Sequence, residues 1–291
     1  MVAHARILER ARVGGVDEPA EKAGLRTAWG RVAEVYEDMW AARTAPFTAA
    51  GLDLVDPPAG GEGLDVGCGP GNTTVALAER LAPGRVRGVD FAPAMVERAQ
   101  VRFGEREGVS FAVDDAERLS LPDGSVDVLS CSFALMYCYD ARAALREAAR
   151  VLRPGGRMVQ VVWGPAPAVW FVPVIPLIED RAEYYSAVCP MMFFYGLPGV
   201  LPRMIGEAGM EAGGTISIPG RMRFADAAEA VEAAVHGGPL AGLFRNRLDA
   251  EAQAEVREAL TAHVESLAEP DAAGISLPAE VVAAVGRVPQ G

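Results

Sequence analysis

The sequence predicts a doubly wound α/β protein: a seven-stranded, mostly parallel sheet with an N-terminal helical lid and an α-helical cap. Three observations carry that prediction. Short apolar runs alternate with helix-period segments between residues 63 and 163, as in a parallel sheet covered by helices on both faces. The first run, Leu64-Asp65-Val66, opens into Gly67-Cys68-Gly69-Pro70-Gly71 and passes directly into a helical segment. The second, Arg87-Gly88-Val89, ends in the carboxylate of Asp90.

In chain order, residues 1–19 have weak periodicity and a Gly14-Gly15 break, which predict a loosely held tail. From Glu21 to Ala42, Leu25, Trp29, Val32, Tyr36 and Met39 recur at three- and four-residue steps and predict an amphipathic helix. Pro46 and Pro57-Pro58-Ala59-Gly60-Gly61 punctuate the approach to the first strand, 63–66. A helix over 73–81, stopped by Pro83-Gly84, leads to the second strand, 86–90, and Pro93 falls in the first turn of the next helix. Strands over 109–113 and 126–132 follow, then a helix over 141–152, the turn Arg153-Pro154-Gly155-Gly156 and a strand over 157–163. Beyond Trp163 the alternation loosens into helices over 195–209, 226–235 and 250–267 and strands over 215–224 and 280–288. The stretch 159–178 is apolar enough to suggest a membrane span. Pro165, Pro167, Pro173 and Pro176 would break such a helix, so a strand followed by a proline-rich loop is expected instead.

A chain of 291 residues suits one structural unit: a lid over 1–45, a ligand-binding core over 46–165, and the rest of the sheet with its cap over 166–291. The net charge of −12 repels a phosphate backbone, so nucleic acid is excluded as a partner. Cys68, Cys131, Cys138 and Cys189 show no C-x-x-C pair and no zinc-type spacing; reduced thiols and no bound metal are expected. No basic region followed by an apolar core marks a signal peptide, and a cytoplasmic location is expected.

The glycine run lets the backbone approach a ligand at a helix N-terminus, where unpaired N–H groups point outward. Asp90, at the tip of the next strand, is placed to accept both hydroxyls of a ribose. A dinucleotide fingerprint would need glycine at position 72, where this chain has Asn72; its spacing is G-x-G-x-G. On these residues the chain strongly resembles the class I S-adenosylmethionine-dependent methyltransferases, within them the ubiquinone/menaquinone-biosynthesis-like (type 11) group. The resemblance runs from about Trp29 to Met210 and is strongest between 64 and 156. It implies S-adenosylmethionine as cofactor, leaving as S-adenosylhomocysteine, on a Rossmann-like sheet. It also implies that Asp65, Gly67, Cys68, Gly69, Gly71 and Asn72 surround the methionine part. Asp90 becomes the ribose ligand, Phe91 and Met95 apolar neighbours of the adenosine, and Cys131 a contact at the end of the fourth strand. Asp115 and the Ala116 backbone become the adenine contacts, although Asp114 in place of the usual glycine leaves open which aspartate faces the ring.

The acceptor is implied to be a small, hydrophobic molecule, a quinone precursor or a specialised metabolite, methylated on oxygen, carbon or nitrogen. Trp29 and Tyr36 on the lid helix, Ser132, Phe133 and Tyr137 after the fourth strand, and Trp170, Phe194 and Tyr195 in an aromatic region are the candidate acceptor contacts. His236, closing a cap helix, is the candidate general base, with helix capping as the alternative. His4 falls in the tail and His263 on an exposed helix; Glu179, Asp180 and Glu183 form a solvated face that could supply a base instead. Two rivals stay open: a cofactor-binding protein that does not methylate, acting as sensor or cyclase, and a NAD-dependent oxidoreductase. Monomer and homodimer both remain open.

Overall fold

The predicted strands β1 (Glu62–Val66), β2 (Arg85–Asp90), β3 (Val109–Val113), β4 (Val126–Ser132) and β5 (Leu152–Trp163) pair in parallel in the order β3-β2-β1-β4-β5. The structure is a computed structural model that describes residues 18–182, 191–238, 240–272 and 274–290. The tail with His4, the segment 183–190 with Glu183 and Cys189, and residues 239, 273 and 291 lie outside the described residues. β6 (Glu211–Phe224) and β8 (Gly274–Arg287) complete the sheet, with β8 antiparallel between β5 and β6. A three-residue strand, β7 (Glu269–Asp271), pairs with β8 and makes the sheet eight-stranded rather than seven. The chain moves outward from β1 through β2 to β3, then returns to place β4 on the other side of β1. Ligands bind such sheets at that reversal, beyond the carboxyl ends of the strands.

The sheet lies between helices α1 (Glu18–Tyr36), α2 (Ala42–Leu52), α3 (Asn72–Leu81), α4 (Pro93–Phe103), α5 (Ala141–Val151), α6 (Val174–Ala182), α7 (Val200–Glu207), α8 (Ala227–His236), α9 (Ala241–Arg247) and α10 (Ala250–Leu267). Central β1 is buried from Gly63 to Val66, as expected of a strand covered on both faces, and Leu64, Val128, Leu129, Met158 and Val159 are fully enclosed. Caps set several boundaries. The side chains of Asp140, Asp226 and Asp249 accept the N–H groups of Ala143, Glu229 and Ala252 and start α5, α8 and α10.

Four expectations are corrected. The lid helix does not stop near residue 42: a wide turn over Glu37–Ala41 carries it into α2, and Pro46 lies inside that helix. The lid boundary at 45 therefore falls within a helix. Proline removes one backbone donor, the one that would reach the Ala42 carbonyl; one turn earlier, in the wide turn, Thr44 Oγ1 donates to the carbonyls of Trp40 at 3.1 Å and Ala41 at 3.3 Å, and Arg43 Nη1 to Met39 at 2.6 Å. The proline-rich loop after Trp163 contains α6, because Pro176 sits in its first turn, where an N–H has no helical partner anyway. The helix expected over 195–209 shrinks to α7, which starts after Gly199 at φ +75°. The cap side chains are less exposed than expected: Glu179 is buried, and half-buried His263 holds its Nε2 at 3.0 Å from the Trp170 carbonyl.

Candidate functional site

At the carboxyl ends of β1, β2 and β4 a cleft of about 740 Å³, counting its open mouth, is roofed by α1. Its floor begins at the glycine turn. Gly67 has φ +68°, and a Cβ there would lie 2.2 Å from the Cβ of Ala134, so only glycine lets this backbone face the cleft. Gly71, at φ +92°, serves the turn from behind: a Cβ would press at 3.0 Å on Phe103 and Phe111.

Asp90 sits over this turn. Its Oδ2 accepts the Gly69 N–H at 3.0 Å and its Oδ1 the Ala92 N–H at 2.9 Å. Each oxygen keeps a free lone pair, so the carboxylate is oriented and still able to take a pair of hydroxyls. Burial pushes its pKa up to about 6, and the two N–H bonds pull the other way. Phe91, Met95 and Ala116 line the adjoining wall with Asp114, Asp115, Lys22 and Glu117. Asp114 is spent on its own turn: Oδ1 takes the Asp115 N–H, and Oδ2 takes both Ser120 donors. Of the two aspartates, Asp115 is the one whose carboxylate meets a charged partner in the cleft, Lys22 Nζ at 2.6 Å.

Aromatic rings line the same cleft, and Trp29, Tyr36 and Tyr137 share a cluster with Met95 and Phe91. Trp29 stands edge-on to Tyr36 and Tyr137, with ring centroids 5.5 Å and 4.7 Å away. Phe133 has φ +57°, a strained value for a non-glycine residue. The turn is held by its N–H on the Val161 carbonyl at 2.7 Å and by its ring against Trp163 at 4.4 Å, and it places Phe133 in the cleft wall. Ser132 beside it has a buried hydroxyl with no hydrogen-bond partner. Burial raises the Tyr36 phenol to about 12.

Of the residues singled out in the sequence, Gly67, Gly69, Asp90, Phe91, Met95, Asp115, Ala116, Trp29, Tyr36, Ser132, Phe133 and Tyr137 meet in this wall. Others do not. Asp65 is buried behind the turn, accepting Ser130 Oγ at 2.5 Å and Thr74 Oγ1 at 2.7 Å, so it braces β1 against β4 and α3. Burial raises its carboxyl to about 6, with the charge of Asp90 adding to the effect. Cys68 and Cys131 are packed in the interior, and Asn72 faces outward to accept Arg102 at 2.6 Å. Trp170 is core: it stacks on Trp40 at 6.2 Å and packs against Phe171 and Phe224. Phe194 and Tyr195 pack together outside the cleft wall. His236 is turned to Glu232, 3.1 Å from Nε2, and to the ring of Phe244, not to the cleft; burial lowers its pKa. Lys22, Glu117 and Cys138 line the cleft and were not singled out for it. Only their position in space, not any motif, brings them there.

The residues present fit a nucleoside: an oriented carboxylate for the ribose, an apolar slot with Phe91 and Met95, and a backbone cradle that a Cβ would fill. Fold and site together define a nucleoside-binding α/β protein. The methyltransferase domain family model matches residues 64–160. A demethylmenaquinone methyltransferase of Staphylococcus aureus is 33% identical over 163 residues, covering 52% of this chain and 68% of that protein. A 37.1 kDa protein of transposon TN4556 from Streptomyces fradiae is 34% identical over 207 residues, 67% of this chain; the chain spans 59% of that relative's length. Among solved structures, YcgJ of Bacillus subtilis matches with TM-score 0.55 at 20% identity, over 84% of this chain and 100% of that one. A methyltransferase of Thermotoga maritima gives 0.53 at 17%, over 90% and 98%. The cyclase SpnF gives 0.53 at 22%, over 85% and 82%. These structural likenesses concern the fold. The chain belongs to the class I S-adenosylmethionine-dependent methyltransferases, whose cofactor is S-adenosylmethionine.

Proposed function

We propose that the protein transfers a methyl group from S-adenosylmethionine to a small, planar, apolar acceptor of the quinol type. The observation that carries this reading is the set of rings, Trp29, Tyr36, Phe133 and Tyr137, that line the same cleft as the Asp90 carboxylate. The similarity to a demethylmenaquinone methyltransferase supports the same acceptor class.

S-Adenosylmethionine, when bound, supplies a methyl group already activated by a sulfonium. The chain's task is then to align the acceptor and to keep water out, which can contribute roughly 7–11 kcal/mol. Asp90 holds the ribose hydroxyls, and Asp115 with the Ala116 backbone holds the adenine edge. The aromatic side chains hold the acceptor by its faces and displace water. Ser132 offers its hydroxyl to the acceptor's oxygen, which satisfies a donor that is otherwise buried without a partner. Among the described residues the cleft wall carries no histidine, and a phenol raised to about 12 is no base at neutral pH. The acceptor's proton then passes to water at the open mouth of the cleft as the methyl leaves the sulfonium, so the reading favours acceptors, such as a hydroquinone or an enolised ring carbon, whose anion is spread over a ring.

The test is calorimetric binding of S-adenosylhomocysteine, followed by transfer of labelled methyl to hydroquinones, amines and carboxylates. Methylated hydroquinone with equal release of S-adenosylhomocysteine is the expected result. Tight binding without transfer to any acceptor would support the non-methylating alternative instead. Tighter binding of NAD than of S-adenosylhomocysteine would overturn the cofactor itself.

A further inference from the structure

Lys22 is the only lysine among the 27 basic residues of the sequence, and it stands in the cleft wall. It is carried by the roofing helix α1, yet its Nζ lies 2.6 Å from Asp115 Oδ2 and 2.8 Å from Glu117 Oε2, on the far side. Glu117 has 7% of its side chain exposed, and its Oε1 accepts the Tyr139 N–H at 2.7 Å. Asp115 Oδ1 accepts the Glu117 N–H at 3.0 Å. A carboxylate has about four acceptor positions, so Asp115 still has room for the amino group of a purine.

Two carboxylates this close repel each other, and the ammonium between them removes that cost. Lifting α1 would take away the cation that Asp115 and Glu117 share and leave the two neighbouring carboxylates to repel each other. The opposite end of the helix is tied as well. Glu37 pairs with Arg98 and lies 3.3 Å from Arg102, whose Nη1 donates to the Pro70 carbonyl at 2.9 Å and to Asn72 Oδ1 at 2.6 Å in the glycine loop. The helix is thus fastened across the cleft at both ends, and only the Lys22 end lies in the wall beside Asp115.

We infer that Lys22 is a positioning residue of the cofactor cleft: bridging Asp115 and Glu117, it holds α1 shut over the adenine end and sets the rate at which cofactor leaves. This rests on the cofactor reading given above. In a closed cleft, release waits for the latch to open, so removing the latch acts on dissociation more than on association.

The experiment follows S-adenosylhomocysteine release by stopped flow for the natural protein, Lys22→Met, Lys22→Arg and Glu117→Gln, with hydrogen exchange of the α1 amides in the ligand-free state. Lys22→Met should release about tenfold faster and Lys22→Arg close to the natural rate, because a second cation restores the bridge. Glu117→Gln, which leaves Asp115 as the only charged partner, should fall between. Added salt should speed release from the natural protein and leave Lys22→Met unchanged. Exchange in α1 should quicken in Lys22→Met at unchanged melting temperature, an effect that a general loss of stability would not give. Binding by the natural protein with identical release and α1 exchange in Lys22→Met would overturn the inference alone. Absence of binding by the natural protein would overturn the cofactor reading and the inference with it.

Discussion

Replacing Asp90 with asparagine separates what this carboxylate costs the free protein from what it contributes to binding. Asp90 is 8% exposed, and burial raises its pKa from 3.8 to about 6. A shift of that size corresponds to about 3 kcal/mol spent on keeping the group ionised at neutral pH. Asparagine carries no such charge, but its amide cannot accept both the Gly69 and the Ala92 N–H, so one of the two bonds is lost. The two effects oppose each other, and the ligand-free variant should unfold within about 1 kcal/mol of the natural protein. Binding should suffer more. Loss of charge-assisted bonds to the ribose hydroxyls should weaken S-adenosylhomocysteine by about 1.5–3 kcal/mol, or roughly 10- to 150-fold.

The pH dependence has a definite sign. Asp90 and Asp65 both have folded values of about 6 against 3.8, so their favourable contribution to stability is complete below 3.8 and is lost as pH rises through about 6. Binding moves the other way, because protonated Asp90 accepts fewer hydroxyls. Between pH 7.5 and pH 5, S-adenosylhomocysteine should bind progressively more weakly to the natural protein, while Asp90→Asn should show a flatter profile. Calorimetry across that range, with denaturant unfolding of both ligand-free proteins, reads both effects. Unchanged affinity in Asp90→Asn at pH 7.5, or an affinity loss matched by an equal stability loss, would refute the ribose assignment.

Three further substitutions test the site. Gly67→Ala sets a Cβ 2.2 Å from Ala134 at φ +68° and should cost roughly 2–4 kcal/mol in unfolding free energy together with cofactor binding; a variant of natural stability would show that the turn is free to shift. Ser132→Ala removes a buried hydroxyl without a partner, so stability should stay within about 0.5 kcal/mol or rise, while KM for an oxygen-bearing acceptor should increase. His236→Ala should leave kcat and its pH profile unchanged, since the ring faces Glu232 and Phe244; a lower kcat with loss of the low-pH limb of that profile would restore the general-base role.

The parallel half of the sheet and the glycine-turn part of the cleft are legible in the sequence because their signals are local. The glycine turn, its following helix and Asp90 are consecutive in sequence, and backbone sterics leave such a run few conformations. The aromatic lining is less legible, because an apolar aromatic cluster reads alike whether it lines a cleft or fills a core. Trp29 and Phe133 proved to be wall; Trp170, equally apolar, is buried beneath it among Trp40 and Phe171. The surroundings of Asp65 are hidden from the sequence for a related reason. A carboxylate near a glycine turn suggests a ligand, but Thr74 and Ser130 approach it from other elements and use its oxygens. Lys22 was invisible as a site residue, since its partners lie 93 and 95 positions away along the chain. Pro46 is a poor helix stop here because a proline forfeits one N–H, and the helix continues through it to Leu52.

The placement of β8 between β5 and β6 bears on how the molecule comes into being. Among the described residues, all of those in the wall of the cleft precede β5 in the chain, so a ribosome has delivered them well before it makes β8. Until that strand arrives, β5 and β6 each present an unsatisfied edge to the surrounding solution, the kind of surface that other chains can pair with. Cofactor present during translation would stabilise the early half alone and leave those edges bare. Yield in the cell should therefore respond to chaperones that shield strand edges more than to supply of the cofactor, and substitutions that disturb β8 should appear first as aggregation rather than as weakened binding.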